Sequence, residues 1–316
     1  MTNKTNPTVC ILMATYNGEA YIAEQVESIQ EQSFGDWQLI VSDDGSTDNT
    51  IAILNRYAKD DPRIIILEGL APTGSAKDNF TRLVHYASAP YVMFCDQDDV
   101  WLKHKVEITL DAMRKEESAQ GRKVPTLVFT DMEVVDRDLR LIEPSFTRRS
   151  HINPSRRKFM QVVAQSLGAG CTMMANMSLI ELFRQSPADS RIIMHDWWLS
   201  LLAAAFGKIV YIDEPTSMYR QHESNSVGSS DFDPLENAKH IDVMWDRIML
   251  TVNQAACFQE EYSAKLLPKD RDCLDLYVHI PVNKNRFRRL VKLLRSRGWK
   301  GGLRRIGQIA TIVVHK

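Results

Sequence analysis

Tyr91-Val92-Met93-Phe94-Cys95-Asp96-Gln97-Asp98-Asp99 decides how this chain is read. The first five residues are apolar and β-prone, the composition of a buried strand. Three carboxylates crowd its C-terminal end. Ionised carboxylates are costly away from water unless something cationic meets them. A hard divalent ion with oxygen ligands, Mg2+ or Mn2+, is the natural partner. The spacing Asp96-x-Asp98 suits one metal that also grips a diphosphate.

Three more strand-like runs precede this one. Val9 to Ala14 ends in Thr15-Tyr16-Asn17-Gly18, Trp37 to Val41 ends in Ser42-Asp43-Asp44-Gly45-Ser46, and Arg63 to Leu67 follows. Helical stripes lie between them: Tyr21, Ile22, Val26 and Ile29; then Ile51, Leu54 and Tyr57, with Thr47 as the expected cap; then Phe80, Leu83, Val84 and Ala87. Strand and helix in alternation predict a parallel sheet covered by helices, with right-handed crossovers. Ligands bind such sheets at the carboxyl ends of the strands. Thr15-Tyr16-Asn17, Asp43-Asp44 and Asp96–Asp99 are therefore expected at one edge.

The second half is less regular. Leu127 to Thr130, Glu133 to Val135, Cys171 to Met174 and Lys208 to Ile212 read as short strands, and 144–157 as a loop. Trp197 to Phe206 reads as an apolar helix. A linker is expected at 224–233, then helix from Asp233-Pro234 to about Tyr262 and again near Asp270–His279.

Composition narrows the class. The 316 residues are 44% hydrophobic and 25% charged, which is ordinary for a globular chain of one or two domains. A net charge of −1 gives no overall field for nucleic acid. Five scattered cysteines without a CxxC pair argue against zinc and a disulfide framework, and fit a reducing cytoplasm. The polar start predicts no secretory leader. No uncharged apolar run reaches bilayer-spanning length.

Five segments together resemble the family 2 glycosyltransferases, and within them the bacterial rhamnosyltransferase-like members. They are Ala14-Thr15-Tyr16-Asn17-Gly18-Glu19, Val41-Ser42-Asp43-Asp44-Gly45-Ser46-Thr47-Asp48, Phe94 to Trp101, His195-Asp196-Trp197-Trp198 and Tyr219-Arg220-Gln221-His222. The likeness covers roughly residues 8–225. It implies an α/β chain with the GT-A fold: a Rossmann-like, mostly parallel sheet flanked by helices, plus a helical C-terminal region. The expected division is a catalytic domain at 1–225, helices at 226–282 and a basic tail at 283–316.

The resemblance also implies roles. Thr15, Tyr16, Asn17 and Glu19 would hold base and ribose, and Asp43 and Asp44 would read the base. Lys77 and Asn79, on the loop after the third strand, would touch the nucleotide. Asp96 and Gln97 would lie by the ribose or a metal-bound water. Asp98 and His222 would be metal ligands, and Arg220 would meet the diphosphate. Asp196 would be the base that deprotonates the acceptor, with His195 standing where a Glu is usual. The implied reaction is inverting transfer from a nucleoside diphosphate sugar, dTDP-rhamnose favoured over a UDP-hexose or UDP-GlcNAc. The implied acceptor is a lipid-linked glycan at the inner face of the cell membrane, with room for a homodimer.

Local chemistry offers plainer roles for the same residues. Asn17 can cap a helix near Glu19, Asp43 can close an Asx-turn, and Asp98 or Asp99 can cap a helix at Val100. His222 can be a solvated loop residue and Asp196 an N-cap. Trp197 and Trp198 can stack on sugar or pack the core. A nucleotidyltransferase would want a Gly-rich, basic phosphate loop after the first strand, and none is present. A non-catalytic binder would tolerate loss of Asp96, Asp98 and Asp196, and all three are kept.

The end of the chain is distinct. From Asn283 to Lys316 there are eleven Lys or Arg and no acid. Phe287, Leu290, Val291 and Leu294 recur at helical spacing, with Arg286, Arg288, Arg289, Lys292, Arg295 and Arg297 around them. Leu303, Ile306, Ile309 and Ile312 follow. A basic amphipathic helix reads as a binder of anionic membrane surface. The alternative is a helix packed on the body or on a second subunit.

Overall fold

The computed structural model describes residues 6–222 and 241–315. The expected linker at 224–233 and the helix opening at Asp233 lie outside the described residues. The chain forms two compact units. One comprises Met1–Phe146, Ala169–Arg184 and Gly207–Gly228; the other comprises Thr147–Gly168, Gln185–Phe206 and Ser229–Lys316.

In the first unit the chain runs β1 (Val9–Thr15), α1 (Ile22–Gln30), β2 (Trp37–Asp43), α2 (Thr50–Asp60), β3 (Ile64–Ile66), α3 (Ala76–Val84) and β4 (Tyr91–Cys95). Then come β5 (Val100–Trp101), α4 (Lys105–Gln120), β6 (Thr126–Val135) and β7 (Leu141–Glu143). A four-residue helix, α5 (Phe146–Arg149), opens the stretch expected to be loop. The sheet order is β3-β2-β1-β4-β8-β6-β9-β5, with β7 beside β6, where β8 is Met173–Asn176 and β9 is Lys208–Arg220. Strands β1 to β4 are parallel, as expected. Beyond β4 the sheet is mixed, because β8 runs antiparallel to both β4 and β6.

Strand β1 up to Met13 and the whole of β4 are apolar and buried on both faces, the pattern of a helix-covered sheet. Ile11, Met13, Leu39, Val41 and Met93 pack with Ile22, Val26 and Ile29 of α1 and Val106, Leu110 and Met113 of α4. Truncating one such Leu or Ile to Ala costs about 2–5 kcal/mol.

Three local expectations are corrected. Leu127 to Val135 is one strand rather than two segments. Val100-Trp101 is a strand and not the start of a helix, so neither Asp98 nor Asp99 caps one; α4 begins at Lys105. Asn17 and Thr47 cap nothing: α1 starts at Ile22 and α2 at Thr50.

One irregularity positions the site. Pairing of β6 with β9 shifts register twice around Asp131, so β9 carries extra residues at Asp213-Glu214. Past the shift, β9 pairs antiparallel with β5, Val100 opposite Met218 and Trp101 opposite Ser217. Such bulges bend a strand and re-aim its side chains. Here the result is that Arg220 to His222 arrive beside Asp98-Asp99.

The second unit is helical: α6 (Phe159–Ala164), α8 (His195–Phe206), α9 (Ile241–Tyr262), α10 (Pro268–Val278), α11 (Arg286–Ser296) and α12 (Gly302–Val314); α7 (Met177–Arg184) belongs to the first. Trp198 is fully buried, edge-on to Phe258, and its indole N–H donates to Ser186 Oγ at 2.7 Å. It packs the core. Trp197 donates to the Val162 carbonyl at 2.7 Å.

On α11 the buried side chains are Arg289, Leu293 and Ser296, while Phe287 is 73% exposed and Leu294 is exposed too. The charged residue that turns inward is Arg289. Its guanidinium donates to the carbonyls of Asn283 and His315 and lies over Trp245, on whose ring His315 stacks. Among the described residues, no helix is long and apolar enough to cross a membrane.

Candidate active site

The loops after β1 and β2 are stitched together by the residues singled out in them. Thr15 Oγ1 donates to Asp43 Oδ1 at 2.9 Å, and Asp43 also accepts from Ser46 Oγ and from the amides of Gly45 and Ser46. Asp43 thus closes an Asx-turn, and Gly45 takes the positive φ of +89° that this turn needs. Asn17 sits at φ 48°, a left-handed conformation that Asn tolerates. Its side-chain oxygen accepts from Thr47 N at 2.9 Å. Glu19 accepts from the amide and side chain of Asn49. Tyr16 projects outward, 57% exposed, while its backbone is clamped at both N–H and C=O by the Gln97 amide.

Asp44 is held from the other side. Its oxygens accept from Thr73 Oγ1 and from the amides of Thr73 and Gly74. Arg82 lies 3.5 Å away and also binds Ser42 Oγ, Asn79 Oδ1 and the Ala71 carbonyl. Sequence reasoning missed Arg82; the signal was its i,i+3 spacing from Asn79 on one helix face. Lys77 and Asn79 lie in the first turn of α3, not on a loop. Asn79 is buried and donates to the Ser42 carbonyl at 2.9 Å; Lys77 lies 3.7 Å from Asp78.

At the end of β4, Asp98 Oδ2 and His222 Nε2 are 2.9 Å apart, and the His222 ring stacks on Tyr21 at 4.7 Å. His222 is therefore packed beside the acid and is not a solvated loop residue. Arg220 is only 2% exposed. It donates to the carbonyls of Asp98 and Arg137 and to the Glu24 carboxylate, lies over Tyr21, and its own amide donates to Asp99 Oδ1. Arg220 reads as the clamp that shapes the acidic loop rather than as a side chain turned to a diphosphate.

Asp99 is buried, and burial together with the Asp98 and Asp96 charges pushes its carboxyl well above the usual range. Ligand atoms of Asp96, Asp99 and Cys171 lie within 4.8 Å of one another. Burial likewise holds the Cys171 thiol protonated. Nearby Lys105 is fully buried, donates to Thr216 Oγ1 at 3.0 Å, and is pulled down to about 8 by burial.

In the other unit, His195 and Asp196 open α8, and Asp196 Oδ1 accepts from Trp197 N at 2.6 Å. Burial lowers the His195 imidazole to about 3, so it is neutral at physiological pH.

Residues 10–183 match the sequence profile of Glycosyl transferase family 2. The chain belongs to that family. It is 34% identical over 228 residues to the dTDP-rhamnosyl transferase RfbG of Shigella flexneri, covering 69% of this chain and 74% of the relative. It is 37% identical over 119 residues to the putative teichuronic acid biosynthesis glycosyltransferase TuaG of Bacillus subtilis, 38% of this chain and 46% of TuaG. It is 36% identical over 107 residues to the UDP-Glc:alpha-D-GlcNAc-diphosphoundecaprenol beta-1,3-glucosyltransferase WfgD of Escherichia coli, 34% of this chain and 41% of WfgD. The last two alignments span under half of each relative.

Structural neighbours show the same fold. S. aureus TarS 1-349 in complex with UDP-GlcNAc aligns over 97% of this chain and 90% of its own, with TM-score 0.57 and 15% identity. The mannosyltransferase PcManGT of Pyrobaculum calidifontis, in complex with GDP-Man and Mn2+, covers 93% and 74%, with TM-score 0.54 and 17% identity. The family 2 chain therefore has the GT-A architecture.

The donor set fits a hard divalent ion. Asp98 and His222 present an oxygen and a nitrogen at 2.9 Å, Asp96 is two residues away, and its ligand oxygen lies within 4.8 Å of that of Asp99. Protonated Cys171 adds no thiolate to that set.

Proposed function

We propose that this family 2 enzyme transfers rhamnose from dTDP-rhamnose to a hydroxyl of a lipid-linked glycan, with inversion. The observation that carries the reading is the 34% identity to a dTDP-rhamnosyl transferase over 69% of the chain. The pairing of Asp98 with His222 where β4 ends supports it.

Asp98 and His222, with Asp96 beside them, would hold Mg2+ or Mn2+. When bound, the ion neutralises charge building on the leaving diphosphate. The chain's own residues do the rest. The Thr15–Glu19 and Asp43-Asp44 loops form the nucleotide face, and Gln97 keeps the Tyr16 backbone in place for it. Exposed Tyr16 offers a ring to the base. Arg220 fixes the Asp98 main chain. Asp196 takes the proton of the acceptor hydroxyl as the sugar passes through an oxocarbenium-like transition state. Because His195 is neutral, it adds no charge beside that base.

The catalytic region is assigned to 1–225, and α11 with α12 to an anionic membrane surface. Phe287, Leu294, Leu303 and Ile306 are exposed among cations, and Lys or Arg near such a surface contribute about 1 kcal/mol each.

Likeness to WfgD, whose name specifies UDP-Glc, favours a second donor reading. The two are separated by supplying dTDP-rhamnose, UDP-glucose or UDP-GlcNAc with a lipid-linked acceptor and Mn2+, and measuring free nucleoside diphosphate. Release of dTDP is expected; release of UDP alone overturns the rhamnosyl reading. Asp196→Asn should lower turnover by about 10²–10⁴-fold and leave donor affinity unchanged. Turnover at the parent rate removes Asp196 from the mechanism.

A further inference from the structure

Tyr21 occupies the N-cap of α1 and makes no capping hydrogen bond there. Ser, Thr, Asp or Asn is favoured at such a position, so the helix does not explain a tyrosine. Its ring is engaged elsewhere. The His222 imidazole stacks on it, with centroids 4.7 Å apart and planes 28° apart, and the Arg220 guanidinium lies over it at 4.6 Å. The backbone beneath the ring is fixed. Tyr21 N donates to the Gly18 carbonyl at 3.0 Å, and the Tyr21 carbonyl accepts from Gln25 N at 3.2 Å. In the first turn of α1, Glu24 takes the Arg220 guanidinium. The start of α1 thus meets the end of β9 through two side chains, Tyr21 and Glu24.

Arg220 is held several times over: its side chain by the carbonyls of Asp98 and Arg137 and by Glu24, its amide by Asp99. His222 lies two residues beyond the end of β9. Its Nε2 meets Asp98 at 2.9 Å, and its face meets Tyr21. An imidazole that ligates a metal has to be oriented by a neighbour other than the ion. An aromatic neighbour does this through the face. It fixes the plane of the imidazole and leaves the edge, where Nε2 meets Asp98, to the ion.

We propose that Tyr21 is a positioning residue for the divalent ion: its ring sets the His222 imidazole so that Nε2 stays beside the Asp98 carboxylate. The proposal rests on the reading of His222 as a metal ligand. It assigns the work to the ring and none to the hydroxyl. Arg220 keeps its carbonyl and carboxylate partners when the ring is removed, so the loss falls on His222 and not on the shape of the acidic loop.

The test uses the full chain and counts bound Mn2+ by the loss of the free-ion signal in electron paramagnetic resonance, with dTDP and, separately, with UDP. Tyr21→Leu should weaken Mn2+ binding about threefold to tenfold, the worth of an aromatic pair, while Tyr21→Phe should stay within about twofold of the parent. His222→Ala should weaken it about tenfold or more. In the His222→Ala background, Tyr21→Leu should cause no further loss, because the ring then has no imidazole to hold. A merely structural tyrosine would cost the same in both backgrounds. Should Tyr21→Leu fail to fold, Tyr21→Gln takes its place in both. Parent affinity in the Leu or Gln variant, a loss in Tyr21→Phe as large as in that variant, or an equal loss in both backgrounds overturns the role of Tyr21 and leaves His222 a ligand. Parent affinity in His222→Ala, or no Mn2+ bound by the parent in either arm, removes the ligand reading and the proposal with it. Neither arm contains a sugar, so the rhamnosyl reading stands or falls separately.

Discussion

At the carboxyl edge of β1, β2 and β4, acids are met by donors: Asp43 by four, Asp44 by the Thr73-Gly74 turn and Arg82, Asp98 by His222. Around the start of α12, guanidiniums are met by main-chain carbonyls, Arg156 by that of Trp299 and Arg304 by that of Ser150. A charge whose partners are protein groups holds the loop that carries it. A guanidinium that donates to distant carbonyls ties together the two stretches of backbone that carry them. Substitution should therefore loosen a single loop in the first region and the packing of whole segments in the second.

Asp98 tests whether a held charge also does chemistry. Asp98→Asn should lower sugar transfer by about 10²–10³-fold in a steady-state assay and barely move the unfolding midpoint, since an amide still reaches His222. A large loss of stability would make the acid a scaffold only. Arg220 is the purest holder. Arg220→Ala should destabilise by on the order of 3 kcal/mol in chemical denaturation, a figure that discounts the half-exposed Glu24. Arg220→Lys should not restore it, because one ammonium cannot reach acceptors on three sides.

His195 sharpens the contrast as a base kept uncharged. Its folded value is depressed from 6.5 to about 3, so the unfolded chain binds a proton that the folded chain refuses. Stability should be full above pH 6.5 and fall as pH drops from 6.5 towards 3; His195→Gln should flatten that slope in pH-dependent unfolding. Gly18→Ala is the mildest. Its new methyl would come within 2.4 Å of Gln97 Oε1 and push that amide off the Tyr16 backbone, costing about 1–3 kcal/mol. A Gly18→Ala, Gln97→Ala double variant should lose less than the two single losses added.

Much of this was legible from residue order. Continuous apolar runs marked β1, β2 and β4, and the acids after them fell at one sheet edge because parallel strands end together. Strand β5 was not legible: two residues carry no period, and only its partner in β9 makes Val100-Trp101 a strand. The passage of Thr147–Gly168 and Gln185–Phe206 into the helical unit was hidden for the same reason, since only long-range contacts reveal it. At the site, the two residues expected to share a ligand, Asp98 and His222, lie 2.9 Å apart. Arg220 and Asn79 did not read as buried clamps, because a polar side chain declares no direction until its acceptors are placed. Arg289 escaped for the reason that makes it informative: charge predicts exposure, and burial here is stabilised by two carbonyls that the chain brings from 26 and 6 residues away.

That single guanidinium ties Asn283, ahead of α11, to His315, after α12, so the stretch behaves as a clasped loop. Breaking the chain ahead of His315 would open the clasp and strand a cation beside Trp245. A cut there is thus expected to disturb the whole helical pair.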